Sequence, residues 1–213
     1  MYSIPAGLAP ELVPLSWLVG VWEGRGVIDY TVGEDRVLSE FGQRISFSHD
    51  GLPYLNYSSH AWLLGETGDA GAAAPGSGKA EPLGPLVGET GYWRISRAQT
   101  AADVGPGMLP PTAPSTLTTA EAVESLRSGP DRFPLEVSIV HPTGVSELYL
   151  GSVAGARIDI STDYVMRTAG SKAYSAATRM YGLVEGDLLW AWDVAALGQP
   201  LATHASARLS RAD

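Results

Sequence analysis

The chain has 213 residues, 45% of them hydrophobic and 17% charged, which supplies one substantial core and lies far from the composition of disorder. A formal net charge of −9 offers no basic footprint for nucleic acid or an anionic membrane surface. With no cysteine, disulfides, thiolate nucleophiles, iron–sulfur clusters and cysteine zinc sites are excluded, and a metal would have to use histidine, carboxylate or a cofactor.

Met1 to Pro14 has neither a basic n-region nor a long apolar run, and no later stretch approaches the roughly eighteen apolar residues of a membrane-spanning helix. A soluble, cytoplasmic protein with no membrane partner is expected. Pro10 to Val19 carries apolar side chains at Leu12, Val13, Leu15, Trp17 and Leu18, a short helical turn limited by Pro14. Past Gly20 the pattern turns to strands: Arg44–Ser48, Pro53–Leu64, Glu136–Val140, Arg157–Ser161, Thr178–Val184 and Leu188–Val194. His49-Asp50-Gly51, Pro142-Thr143-Gly144 and Glu185-Gly186-Asp187 suit tight hairpins that need a residue at positive φ.

Two stretches break this rhythm. Residues 65–88 are rich in Gly, Ala and Pro without period, and 100–132 hold a Pro/Gly-rich run followed by Thr118–Arg127, where Thr118 and Glu121 have capping-box spacing. Both read as loops inserted into a single domain, 1–213. The class is all-β and antiparallel, and periodicity alone does not choose between sandwich and barrel.

The most specific local feature is Gly20-Val21-Trp22-Glu23-Gly24-Arg25-Gly26, at the start of the first strand. A tryptophan among glycines suits the crowded end of a small barrel, where the indole plugs the base and glycines let strands approach. The run lacks phosphate-loop spacing. A G-x-W near the N-terminus resembles the calycin barrels, lipocalins and fatty-acid-binding proteins among them, and the full G-x-W-x-G-x-G resembles the nitrobindins. Leu15–Gly26, Phe41–Pro53, Glu89–Arg97 and Val165–Arg211 are similar to nitrobindin segments in the same order.

That resemblance implies an up-and-down antiparallel barrel of about ten strands that binds heme b through a histidine near the C-terminus. It places the axial iron ligand on His204, in Gly198-Gln199-Pro200-Leu201-Ala202-Thr203-His204, and a heme-contacting lysine on Lys172. A third contact falls on Thr31, which follows Tyr30 directly where the family shows Tyr-Pro-Thr. The implied activity is isomerisation of peroxynitrite to nitrate at ferric heme, with nitric oxide as a ligand of the ferrous form, and a homodimer is left open.

Taken without the resemblance, the four histidines are less distinct. His49 belongs to a turn, His60 could face in or out, and His141, before Pro142, is expected at a solvated strand end. His204 is one eligible strand histidine, with a rim hydrogen bond as its bland alternative. Lys172 also reads as an edge lysine that discourages sheet pairing. Trp190 and Trp192 share one side of a strand and could wall a flat apolar cofactor. A competing reading is a fatty-acid- or lipocalin-like carrier without turnover, its ligand carboxylate received by Arg44 or Arg179 inside the barrel.

Overall fold

The computed structural model describes residues 4–65 and 81–212. Ten strands follow a short 3₁₀ helix, Pro10–Leu18: β1 (Gly20–Val32), β2 (Asp35–Ser48), β3 (Leu55–Leu64), β4 (Pro82–Ile95), β5 (Phe133–His141), β6 (Val145–Ala154), β7 (Arg157–Arg167), β8 (Tyr174–Val184), β9 (Asp187–Ala196) and β10 (Ala202–Ala212). Each pairs antiparallel with its sequence neighbours, and β1 also pairs with β10, so the sheet closes on itself. The all-β up-and-down barrel of about ten strands is therefore the architecture observed. Closure removes the exposed edges that an open meander would leave.

Alternating inward residues build the core. On β5, Phe133, Leu135, Val137 and Ile139 are buried at period two. Trp93 lies at the centre, fully buried, with Phe47 and Tyr181 edge-on at 5.3 and 5.1 Å. Each such side chain contributes about 1.5–3 kcal/mol by leaving water.

The base is sealed by the 3₁₀ helix, whose Leu12, Leu15 and Leu18 are fully buried. Its tighter repeat accommodates Pro14, which an α-helix would not. Arg97 after β4 bonds Glu11 and Asp103, both at 2.7 Å, and ties the helix to the following segment. The glycine motif does the structural work expected of it. Trp22 is fully buried and its indole N–H donates to Leu18 O at 2.7 Å. A Cβ at Gly24 would stand 2.3 Å from Arg208 O, and one at Gly26 would stand 2.3 Å from the Phe41 ring, so β1 could not lie this close to its neighbours with larger residues.

Some expectations shift. Residues 82–88, read as part of a loop, belong to β4, whose prolines escaped the strand pattern because they sit beside ladder irregularities: Pro82 opposite Leu64 and Pro85 opposite Trp62. The rest of that expected loop, 66–80, lies outside the described residues. In the second insertion the helix is Ala120–Glu124, capped by Thr119 rather than Thr118, with Thr119 Oγ1 accepting from Ala122 N. Positive φ falls at Gly51, Gly144, Glu185 and Gly186; the turns at residues 142–144 and 185–186 close tight hairpins as read, whereas residues 49–51 only open a longer connection that reaches β3 at Leu55.

At the opposite end from the helix, the barrel loosens. The β7–β8 ladder runs only from Arg157↔Gly182 to Ser161↔Thr178, and the strands part beyond it toward the mouth. The β1–β2, β7–β8 and β9–β10 connections lie at this end, and Leu197 N donates to Ala173 O between the last two at 2.9 Å.

Candidate functional site

A half-open cavity of about 270 Å³ occupies the barrel interior, walled by β1–β4 and β8–β10. Its surface is largely apolar and aromatic, with Phe41, Tyr57, Trp190 and Trp192 among the lining residues. Enclosed apolar walls with a few polar groups are the usual form of a small-molecule site.

His204 lies on this wall because β10 bulges. Thr203 pairs with Asp193 and Ala205 with Trp192, so His204 is the extra residue and both it and Ala205 face the cavity. Its half-buried ring stacks on Tyr30 at 4.4 Å and meets Trp192 edge-on at 5.4 Å. Burial holds its pKa below the ordinary imidazole value, which favours the neutral form that can bind a metal. Among the described residues no hydrogen bond uses its ring nitrogens.

The other expected contacts lie near the mouth. Thr31 is exposed and shares a shallow recess with His204, Gln199 and Pro200. Lys172 is exposed in the β7–β8 connection, where its carbonyl accepts from Arg167, and its side chain does not line the cavity. His49 receives Gly51 N in its turn, and His60 is exposed on the outer face. Trp190 and Trp192 both face inward, as their spacing implied.

His141 corrects the expectation of a solvated strand end. It is buried, with Nε2 2.7 Å from Glu147 Oε2 and Nδ1 3.8 Å from Glu89 Oε1. It continues the inward series Val137, Ile139, His141, so alternation was the signal and the following proline misled. Around it lies a network absent from the sequence reading. Arg179 donates to both oxygens of Glu89 at 2.9 Å, Tyr57 donates to Glu89 at 2.8 Å, and Tyr149 and Tyr174 donate to Glu147. Burial raises the Glu89 pKa, but Arg179 outweighs it and brings the carboxyl down to about 2. Burial likewise raises Glu147, and His141 and Arg179 lower it overall.

This network bears on the carrier reading. Arg44 points outward and pairs with Glu23 at 2.7 Å. Arg179 is interior, yet Glu89 and Glu147 already answer its charge, so neither arginine is free to receive a ligand carboxylate.

The residues fit a heme. One neutral aromatic nitrogen stands free on an apolar, aromatic wall, and among the described residues no group of three or more His, Asp or Glu could hold a bare metal ion. A metal carried by its own macrocycle asks of the protein only such a donor and such a wall.

Comparison with known proteins agrees with this fit. Residues 11–211 match the THAP4-like, heme-binding beta-barrel domain. The chain belongs to that family. The nitrobindin-like resemblance thus extends over nearly the whole chain, including the segments between its motifs. A protein of Clavibacter michiganensis subsp. michiganensis called peroxynitrite isomerase is 61% identical across the full length of both chains. One of the same name from Leifsonia xyli subsp. xyli is 58% identical, again over both full lengths. Among solved structures, the crystal structure of Rv2717c from M. tuberculosis superposes with a TM-score of 0.63 at 25% identity, covering 97% of this chain and 99% of that one.

Proposed function

We propose that this protein converts peroxynitrite to nitrate, using heme b held by His204. The carrying observation is the unspent, neutral-leaning imidazole that a β-bulge turns into an aromatic cavity. The name shared by full-length relatives at 58–61% identity supports the substrate.

Peroxynitrite and nitrate contain the same atoms and carry the same charge, so the reaction needs no co-substrate and no net proton or electron. When bound, heme iron supplies an open coordination position at which the O–O bond can rearrange. The chain supplies the rest. His204 offers one nitrogen to the metal, while Tyr30 and Trp192 fix its ring by stacking and edge contact. Phe41, Val87 and Trp190 exclude water from the pocket, and the loosened end of the barrel admits a small anion. Lys172, in a mouth connection, would meet a heme propionate. In the ferrous form the same open position would take nitric oxide.

The test is a hemin titration followed in the visible, wild type against His204→Ala. A Soret band that forms in wild type and is weakened or displaced in the variant, together with loss of peroxynitrite isomerisation, is the expected result. A wild-type spectrum indistinguishable from free hemin would end this reading.

A further inference from the structure

The geometry points to Ser59 as the hydrogen-bond donor that receives a small anion in the cavity, held in that role by Gln43 and Trp190; the inference rests on the heme reading above and deepens it. The three residues are buried, with 6%, 6% and 8% exposure for Ser59, Gln43 and Trp190, and all line the cavity. Trp190 Nε1 lies 2.8 Å from Gln43 Oε1, and Gln43 Nε2 lies 2.9 Å from Ser59 Oγ.

Their directions follow from chemistry. An indole N–H can only donate, so the amide oxygen of Gln43 must face Trp190 and its nitrogen must face Ser59. An amide nitrogen also only donates, so Ser59 Oγ is the acceptor in that bond. The Ser59 proton must then go elsewhere, and among the described residues it has no acceptor. Across the strands Ser59 faces Ile45, whose side chain has no acceptor, and Glu89, whose hydrogen bonds among the described residues come from Arg179 and Tyr57 and not from Ser59. Accepting from Gln43 polarises the hydroxyl and strengthens it as a donor.

A pre-oriented donor on a dry wall is what a developing or bound negative charge requires, since no water has to reorganise to meet it. The ligand class is a small anion with an exposed oxygen or halide acceptor, and peroxynitrite belongs to it. Ser59 is thereby a residue that touches substrate, while Gln43 and Trp190 are positioning residues behind it.

Fluoride serves as the probe, because its hold on ferric heme responds to a nearby hydrogen-bond donor. Hemin-loaded wild type, Ser59→Ala, Ser59→Thr and Trp190→Phe are titrated with fluoride, after their Soret bands have been compared. Ser59→Ala is expected to weaken fluoride binding about tenfold, the scale of one hydrogen bond to a charged acceptor. Ser59→Thr, which keeps the hydroxyl, should stay within about twofold of wild type. Trp190→Phe, which frees the Gln43 amide without touching Ser59, should show a smaller loss than Ser59→Ala. In the reduced carbon monoxide form, the C–O stretch should rise in Ser59→Ala and not in Ser59→Thr. Matching Soret bands with equal fluoride affinity in wild type, Ser59→Ala and Trp190→Phe would overturn the role of Ser59 and leave the heme reading intact. A wild type that takes up no hemin would overturn both.

Discussion

Two walls of the same barrel interior treat polar groups in opposite ways. On the β4–β6 and β8 side, joined by Tyr57 from the adjoining β3, Arg179, Glu89, Glu147, His141 and Tyr149 bond one another, and the charges are compensated inside the protein. On the β2–β3 and β10 side, Ser59 keeps a proton and His204 keeps its nitrogens, while apolar rings surround them. A buried polar group without a partner costs free energy unless something arrives to satisfy it. The first wall is therefore complete as folded, whereas the second is complete only with a ligand. Trp192 stands between them, under the Arg179 guanidinium at 4.4 Å and edge-on to His204.

The contrast breaks most sharply at Arg179. Replacing it with Met leaves Glu89 and Glu147 buried without their cation, and removal of one partner from such a group costs about 3–5 kcal/mol. Denaturant unfolding of the heme-free protein should show a loss of that size. His204→Ala, on the other wall, should lower the same unfolding free energy by less than about 1 kcal/mol, since it removes a half-buried ring with no hydrogen bond. Equal costs at the two positions would dissolve the distinction.

Acid sharpens it. The folded pKa of Glu89 is depressed to about 2, below the roughly 4.3 of a free glutamate. A depressed carboxylate contributes stability that is fully present above the unfolded value and is lost as pH falls through the folded one. Unfolding free energy should therefore decline from about pH 4.3 toward pH 2. Glu89→Gln should flatten part of that decline, at the expense of stability near neutrality. A stability profile with the same slope in wild type and Glu89→Gln would show that the carboxylate is not the group responsible.

The barrel was legible in the sequence because its signals are local. Alternation marks β5 and β9, positive-φ turns mark the hairpins, and the glycines beside Trp22 sit where β1 lies against β10 and Phe41 too closely for a side chain. Where local signals conflict, the reading failed: prolines hid the start of β4, and Pro142 hid the burial of His141. Half of the site was readable only through family resemblance. Nothing in the residues around His204 announces a bulge, which is a property of how β10 pairs with β9. The charged network was signalled more plainly than it was read. Glu147 falls between the inward residues Val145 and Tyr149, and a carboxylate at an inward position implies a partner across the barrel. What no local pattern could supply is that the partner, Arg179, lies on β8, or that Gln43 would bridge β9 to β3. Such pairs depend on closure of the sheet.

The smallest effect is expected outside both walls, at Lys172. Its exposed position in the β7–β8 connection lets water and salt screen any pairing with a heme propionate, and exposed ion pairs contribute about 0.2–1 kcal/mol. Lys172→Ala should therefore weaken hemin binding by no more than about fivefold at low ionic strength. That difference should vanish at about 1 M salt, where the Debye length shrinks to about 3 Å. Lys172→Arg, which keeps the charge, should remain near wild type throughout. A loss that persists in high salt would mean that the side chain becomes buried against the cofactor, and the mouth would then have to be counted with the unsatisfied wall and not with the solvent.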